Sequence, residues 1–343
     1  MRFWQEIGVD LGTATVLIYV KGKGIMLREP SVIAMVRDTN EVKAVGDEAY
    51  RMLGRTPGNI VAVRPMRDGV IADYDLTEKM LKAFVRKVVT GAGRWFKPNI
   101  MVCVPSGVTE VERRAVLQAT REVGARKAFL IEEPLAAAIG AGVRIAEPTG
   151  SMIVDIGGGT TDIAIISLGG IVVSESLRIA GNEFDESIIR HIRHKENLLI
   201  GDRTAEEVKM KVGAAVIAHP DDVREIEVRG RDLINGLPKT IRVNTEDTVE
   251  ALKEPVQKIA DGVRRVLEMA PPELVSDVID RGIIMTGGGS LLQNFDELLR
   301  QSTGIPVSVA EHPMDCVALG TGQALDMISV LQDALISDTF LRR

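Results

Sequence analysis

Aromatic residues are scarce in this chain: two Trp, three Tyr and seven Phe make up 3% of 343 residues. The core must therefore be built from Val, Ile, Leu, Ala and Met. Cysteine is scarcer still. Cys103 and Cys316 are far apart, each in apolar surroundings, which excludes a disulfide framework, favours a reducing compartment and places both thiols in the core. No stretch approaches the ~18 apolar residues needed to span a bilayer. The start, Met1-Arg2-Phe3-Trp4-Gln5-Glu6, is too short and turns acidic too quickly for a secretory signal, so a cytoplasmic protein is expected. There is no excess of positive charge, since 42 Lys plus Arg against 48 Asp plus Glu leave a net −6; this argues against a general nucleic-acid-binding surface. Two nucleotide signatures are also missing: a G-x-x-x-x-G-K-[ST] loop, and a G-x-G-x-x-G opening the first helix of a dinucleotide fold. Without Pro-rich or Ser-rich linkers, the roughly two domains that the length suggests are joined through packed structure.

Among what is present, 45% hydrophobic and 26% charged residues are ordinary globular values. Short β-branched runs alternate with helix-period segments, which predicts an α/β architecture with several sheets. Strands are expected at 7–11, 15–20, 32–36, 100–104, 152–156, 162–167, 171–177 and 282–286. Helices are expected at 77–89, at 109–123 (Thr109 with Glu112 three residues on), at 183–196 and at 245–269. The polar stretch 201–244 reads as a small inserted subdomain.

An internal repeat carries the most information. Asp10-Leu11-Gly12-Thr13-Ala14-Thr15 and Asp155-Ile156-Gly157-Gly158-Gly159-Thr160-Thr161 match as Asp, aliphatic, Gly, small, small, Thr, and each lies between two strands. Each reads as a hairpin whose turn exposes backbone N–H groups and hydroxyls behind a carboxylate. One such turn is as readily a tight hairpin with no ligand. Two, facing across a cleft, would grip a polyphosphate from both sides while Asp10 and Asp155 held a hydrated Mg²⁺. Phosphoryl transfer or hydrolysis is then the natural chemistry. In Thr286-Gly287-Gly288-Gly289-Ser290, glycines after a strand would let a base or ribose lie against the backbone at a helix start; the plainer reading is an ordinary turn. In Ile131-Glu132-Glu133-Pro134-Leu135-Ala136-Ala137-Ala138, the acidic pair sits at the positive end of a helix. The two glutamates are either caps, or one of them positions water for in-line attack. Gly140, Gly142, Gly320 and Gly322 would allow close helix crossings or a hinge between halves.

Taken together, the two Asp-led loops, the Glu-Glu-Pro-Leu-Ala-Ala-Ala connection and the late Thr-Gly-Gly-Gly-Ser resemble the actin, heat-shock chaperone and sugar kinase ATPase superfamily. Over essentially its whole length the chain resembles bacterial actins, the MreB and Mbl family. The resemblance rests on residues 7–14, on Gly54-Arg55-Thr56-Pro57-Gly58-Asn59-Ile60, on Arg67-Asp68-Gly69-Val70-Ile71-Ala72-Asp73-Tyr74 and on Gly201-Asp202-Arg203-Thr204-Ala205-Glu206-Glu207-Val208-Lys209. It implies an α/β, actin-like ATPase fold of two duplicated α/β domains around a nucleotide cleft. Domain I would span 1–145, with a small subdomain about 32–66 and the segment 313–343 packing back on it. Domain II would span 146–312, with a small subdomain about 182–245. For the site it implies Thr13, Ala14 and Thr15 in phosphate loop 1, Gly157, Gly158, Gly159, Thr160 and Thr161 in loop 2, Gly287, Gly288 and Gly289 at the adenosine, and Glu206 and Lys209 beside ribose and base. On helix geometry alone, Glu206 and Lys209 are a surface ion pair. Glu133 falls at the water-positioning place, with Glu132 its neighbour. Asp162 stands where many relatives carry Glu, which keeps the acidic character.

Both tryptophans sit beside a phenylalanine, as Phe3-Trp4 and as Trp95-Phe96, the latter in a Gly- and Pro-bounded loop between Arg94 and Lys97. Such rings are either folded back onto the body or offered to an anionic membrane surface. The resemblance favours the membrane, because MreB-like filaments bind its inner face. It further implies ATP and Mg²⁺ as cofactors, slow ATPase activity coupled to assembly, self-association into filaments, and partners in the cell-wall synthesis machinery for maintenance of rod shape. A metabolic kinase of the same superfamily is the alternative, but no spare carboxylate base or substrate lobe is evident. A chaperone ATPase would need a further peptide-binding domain.

Overall fold

The computed structural model describes residues 4–89, 97–328, 331 and 335–337. The first half runs β1 (Glu6–Leu11), β2 (Thr15–Val20), β3 (Gly24–Pro30), β4 (Ile33–Val36), β5 (Val42–Val45), α1 (Asp47–Met52), β6 (Ile60–Val63), β7 (Met66–Arg67), β8 (Val70–Ile71), α2 (Tyr74–Val88), β9 (Asn99–Val104), α3 (Glu110–Glu122), β10 (Lys127–Glu132) and α4 (Glu133–Gly140). The second runs β11 (Ser151–Ile156), β12 (Thr161–Ser167), β13 (Gly170–Leu177), α5 (Gly181–Glu196), β14 (Leu198–Leu199), α6 (Asp202–Val212), β15 (Glu225–Asp232), β16 (Pro238–Asn244), α7 (Thr245–Met269), α8 (Pro272–Arg281), β17 (Ile283–Thr286), α9 (Phe295–Thr303) and β18 (Val307–Val309). It is followed by α10 (Cys316–Ala324) and β19 (Ile336–Ser337).

The sequence repeat is a repeat of topology. One sheet has the order β19-β10-β9-β1-β2-β3 and the other β13-β12-β11-β17-β18. In each, a three-strand antiparallel meander is extended, beside its first strand, by two parallel strands. Strands buried on both faces read as continuous apolar runs, and β9 and β11 are buried at every position. Small sheets branch from each half: β5-β4-β6 with α1 in the first, β14-β15-β16 with α5 and α6 in the second.

Local signals set the helix ends. Thr109 and Glu112 form the capping box that starts α3, and Asn244 and Asp247 form another at α7. At α2 the helix starts earlier than its apolar period indicates, because the Asp73 side chain accepts from the Leu76 N–H at 3.0 Å. The stretch after Gly287 differs from expectation: residues 288–291 form a 3-10 turn, and the helix begins only at Phe295.

Between the sheets lies an apolar layer in which α4 and α10 pack with Met101, Ile131, Ile153 and Ala164. The two helices cross at glycines. A Cβ on Gly140 would lie 1.8 Å from the Cys316 carbonyl oxygen, and one on Gly320 would lie 1.8 Å from that of Ala136. Nothing larger than hydrogen fits at either point, so this contact is close-packed rather than hinged. The paired distances also align the helices residue by residue, Gly140 with Gly320 and Ala136 with Cys316, as a duplication requires. The C-terminal segment is tied to the first half by α10 against β1, by ion pairs Arg28–Asp315 and Lys21–Asp326, and by β19 on β10.

Candidate functional site

The turns between β1 and β2 and between β11 and β12 face each other at the floor of a cleft of about 440 Å³. They touch: a Cβ on Gly158 would lie 2.4 Å from that of Ala14, and one on Gly159 would lie 2.5 Å from Thr13 Oγ1. Loop 1 is held by Thr13 Oγ1, which accepts the Gly69 N–H at 2.9 Å. Loop 2 is held by the Gly157 N–H donating to Thr160 O at 2.9 Å. The start of α5 is pinned to loop 2 by the Asn182 N–H, which donates to Gly158 O at 2.8 Å. Glycine-lined turns at a helix start concentrate backbone N–H groups where a phosphate chain would lie.

Most expected site residues converge on this cleft. Thr13, Ala14, Thr15, Gly157, Gly158, Gly159, Thr160, Glu206, Lys209, Gly287, Gly288 and Gly289 line it, with Asp10, Asp155 and Glu133. Three placements differ from the sequence reading. Thr161 is fully buried and donates to the Ile179 carbonyl at 2.7 Å, away from the lining. Glu132 is outside the lining and ion-paired to Arg113 at 3.0 Å, and neither it nor its neighbour caps α4 through a side chain. Glu206 and Lys209 are not paired with each other: Lys209 Nζ donates to Asp185 at 2.9 Å and to Gly181 O at 3.0 Å, while Glu206 accepts from Tyr50. Of the aromatic pairs, Phe3, Trp95 and Phe96 lie outside the described residues. Trp4 is half-buried with the Arg126 guanidinium 3.9 Å from its ring centroid.

At the glycine turn, Gly287 has φ 78°, its N–H donates to Pro313 O at 2.8 Å, and a Cβ there would strike Ile156 O at 2.3 Å. Gly288 is the opposite case. Its Cβ would meet only Met314 Cγ at 3.9 Å, so it faces open cleft. Phe184, Leu291, Leu292 and Met314 give this end an apolar wall suited to a flat base.

The floor is acidic. Burial raises Asp10 to about 6 against the lowering effect of a hydrogen bond from Cys103, whose Sγ lies 3.4 Å from Oδ1. Burial likewise raises Asp155 to about 7, and Asp162 and Asp10 add to it, although Thr286 Oγ1 donates at 2.7 Å. Glu133 is raised well above the carboxylate range by burial, then by Asp162, Asp10 and Asp155. Asp162, cross-strand partner of Asp155, is fully buried and accepts from the Ser106 N–H at 2.8 Å and its hydroxyl at 2.9 Å. Burial leaves these carboxylates poorly solvated, and only the Cys103 thiol and the Arg28 guanidinium lower Asp10, so the acidic floor suits a divalent ion. Among the described residues no three His, Cys, Asp or Glu side chains form a metal cluster, so a cation here would keep ligands from water or substrate.

Asp162 was visible in the sequence only as a substitution within the second loop. Cys103, Tyr50 and Asp185 gave no local signal, because each reaches the site through pairing or packing across long separations.

A family model described as MreB/Mbl protein matches residues 4–333. The cell shape-determining protein Mbl of Bacillus subtilis is 52% identical over 335 residues, 98% of this chain and 100% of the relative. The cell shape-determining protein MreB of Escherichia coli is 53% identical over 340 residues, 98% and 97%. Among solved structures, MreB5 of Spiroplasma citri bound to ADP superposes with TM-score 0.90 at 40% identity, covering 96% of this chain and 98% of that one. A MamK double helical filament gives 0.77 at 25% identity, covering 94% and 98%. No described helix is long and apolar enough to cross a membrane.

Proposed function

The chain belongs to the MreB/Mbl family, and on that premise we propose that it is an ATP-dependent, actin-like filament protein that maintains rod cell shape by organising cell-wall synthesis. One observation carries the reading: two repeated Gly/Thr turns meet at the floor of a cleft whose other end is an apolar wall opened by Gly288. MreB5, at 40% identity, is a nucleotide-bound relative with the same fold, and MamK is a filament-forming one. A metabolic kinase is disfavoured, because the relatives matched along the whole chain are cell shape-determining proteins.

We take residues 1–145, joined by 313–343, as domain I, with its small subdomain at 32–66. Domain II is 146–312, with its small subdomain at 182–245. The two turns would hold the phosphates and Glu206 the ribose. Asp10 and Asp155 would hold Mg²⁺, which when bound neutralises charge on the transferred phosphoryl group. Glu133, rather than the ion-paired Glu132, would position the attacking water. Its raised proton affinity makes it a capable acceptor once a cation lowers the local field.

The protein would stay in the cytoplasm and meet the inner face of the membrane through Phe3, Trp4, Trp95 and Phe96. Arg126 over Trp4 is a competing partner for that ring. Electron microscopy of the protein with ATP and anionic vesicles, against no nucleotide, tests the whole reading. Filaments on vesicles are expected only with ATP. Absence of ATP-dependent filaments overturns it, and filaments that ignore vesicles remove the membrane part.

A further inference from the structure

The halves meet at the cleft floor, and they meet again between their small sheets around the Tyr50 side chain. Tyr50 on α1 donates its hydroxyl to Glu206 Oε2 on α6 at 2.5 Å, across 156 residues of sequence. Two guanidinium groups flank the Tyr50 ring, Arg203 at 5.3 Å and Arg64 at 5.9 Å from its centroid, one from each half. Arg64 also donates from Nη1 to Ala14 O at 3.3 Å, which ties the ring to phosphate loop 1. Glu206 lines the cleft and Tyr50 does not, so a carboxylate on one wall is held from outside by a phenol of the opposite half.

A flexible glutamate samples many rotamers, and one carboxylate oxygen fixed by a phenol leaves the other presented in one direction. That geometry suits the two adjacent hydroxyls of a ribose. Burial raises the Tyr50 hydroxyl to about 12, with the Glu206 bond next in effect, so it remains a donor throughout the physiological range.

We propose that Tyr50 is a positioning residue of the nucleotide cleft, which by clasping Glu206 across its mouth sets the carboxylate for the ribose hydroxyls and retards nucleotide escape. The proposal rests on the nucleotide reading above. The experiment uses the full chain as wild type, Tyr50→Phe, Glu206→Ala and the double variant. Release of etheno-ATP, whose label leaves the ribose free, is followed by stopped flow, and affinities for ATP and 2′-deoxyATP by calorimetry. Tyr50→Phe should release nucleotide about tenfold faster, the size expected for one hydrogen bond to a charged group. It should also reduce the preference for ATP over 2′-deoxyATP, which a merely structural role would not move. The double variant should be no faster than Glu206→Ala alone. Unchanged release and preference in Tyr50→Phe, or effects that multiply in the double variant, overturn the proposal while leaving the nucleotide reading intact. Failure of the wild type to bind ATP at all overturns both.

Discussion

The two halves share one frame and differ in what they mount on it. In the first, Asp10 stands opposite Leu17 across the hairpin and receives a thiol bond from Cys103. In the second, Asp155 stands opposite Asp162 and receives a hydroxyl bond from Thr286. Cys103 and Thr286 occupy equivalent places, near the ends of the parallel strands β9 and β17 beside β1 and β11. A hydroxyl is the stronger donor, so hydrogen bonding alone would leave Asp155 the more acidic of the two. The order is reversed, about 7 against about 6. Asp155 is 4% exposed and faces a second acid, whereas Asp10 also feels the Arg28 guanidinium, and desolvation with like charge outweighs one good hydrogen bond. The α4–α10 alignment carries the contrast further, since it places Pro313 where Glu133 stands. At that helix start the first half sets a carboxylate, Glu133, and the second sets Pro313, whose carbonyl accepts the N–H of the bare Gly287 turn; on the proposed function the one serves hydrolysis and the other the nucleoside.

If that division holds, the largest effect comes from removing the acid. Glu133→Ala should slow ATP hydrolysis by about 10²-fold, the usual weight of a positioned acid–base group, with ATP affinity within a few-fold of wild type. Glu132→Ala should act far less on turnover, because its carboxylate is spent on Arg113 outside the lining. Phosphate-release assays that rank the two alike would end the assignment.

The bare backbone is tested next. Gly288→Val should weaken ATP binding roughly tenfold to hundredfold with little loss of stability, since the new side chain enters open cleft. Gly158→Ala should instead disturb the contact with Ala14 and lower the melting temperature. Calorimetry showing normal ATP affinity in Gly288→Val would remove the nucleoside from that end.

The pH dependence sharpens the comparison of the two aspartates. A folded-state pKa raised above the unfolded value means that the folded chain holds the extra proton, so this contribution to stability is present at low pH and is lost as pH rises from about 4 through about 7. In metal-free protein, Asp155→Asn should therefore be stabilising at pH 8, by on the order of 1 to 3 kcal/mol, by less than half as much at pH 5, and nearly neutral only below about pH 4. Asp10→Asn should show the same sign with a lower midpoint. Thermal melts in which the Asp155→Asn gain does not grow with pH would contradict the burial argument. In wild type, Mg²⁺ affinity should rise over the same window, because the cation competes with those protons.

How much of this was legible in sequence follows from range. The repeated turns, the Thr109 capping box and the apolar strands are local patterns, and they appear where the residues indicate. Strands β15 and β16 were hidden because their hairpin is largely exposed and reads as a polar insertion. Glu206 and Lys209, three residues apart on one helix face, are mutual partners on helix geometry alone, yet each is claimed by a residue from another element, Tyr50 or Asp185. The Asp155–Asp162 pairing needs only a hairpin and could be read ahead. The Cys103–Asp10 contact needs the order of a sheet, which no window of sequence contains.

That last contact offers the smallest and most direct test of the comparison. Cys103→Ser replaces a weak thiol donor by a hydroxyl and makes the first half resemble the second at this one point. The donor would then favour the ionised carboxylate more strongly, so the midpoint for Mg²⁺ binding should shift to lower pH and affinity at pH 6 should rise about two- to fivefold, consistent with a net gain near 0.5 to 1 kcal/mol. Above pH 8 both proteins have Asp10 ionised and the difference should close. The thiol is 3% exposed, so the smaller serine leaves some packing unfilled and a modest loss of thermal stability is expected beside the gain in metal affinity. The two effects separate cleanly, because packing loss is independent of pH across this window whereas the metal effect is not. An Mg²⁺ titration at pH 6 in which Cys103→Ser and wild type coincide would show that Sγ does not act on Asp10, and the difference between the halves would then rest on burial, Asp162, Arg28 and Thr286.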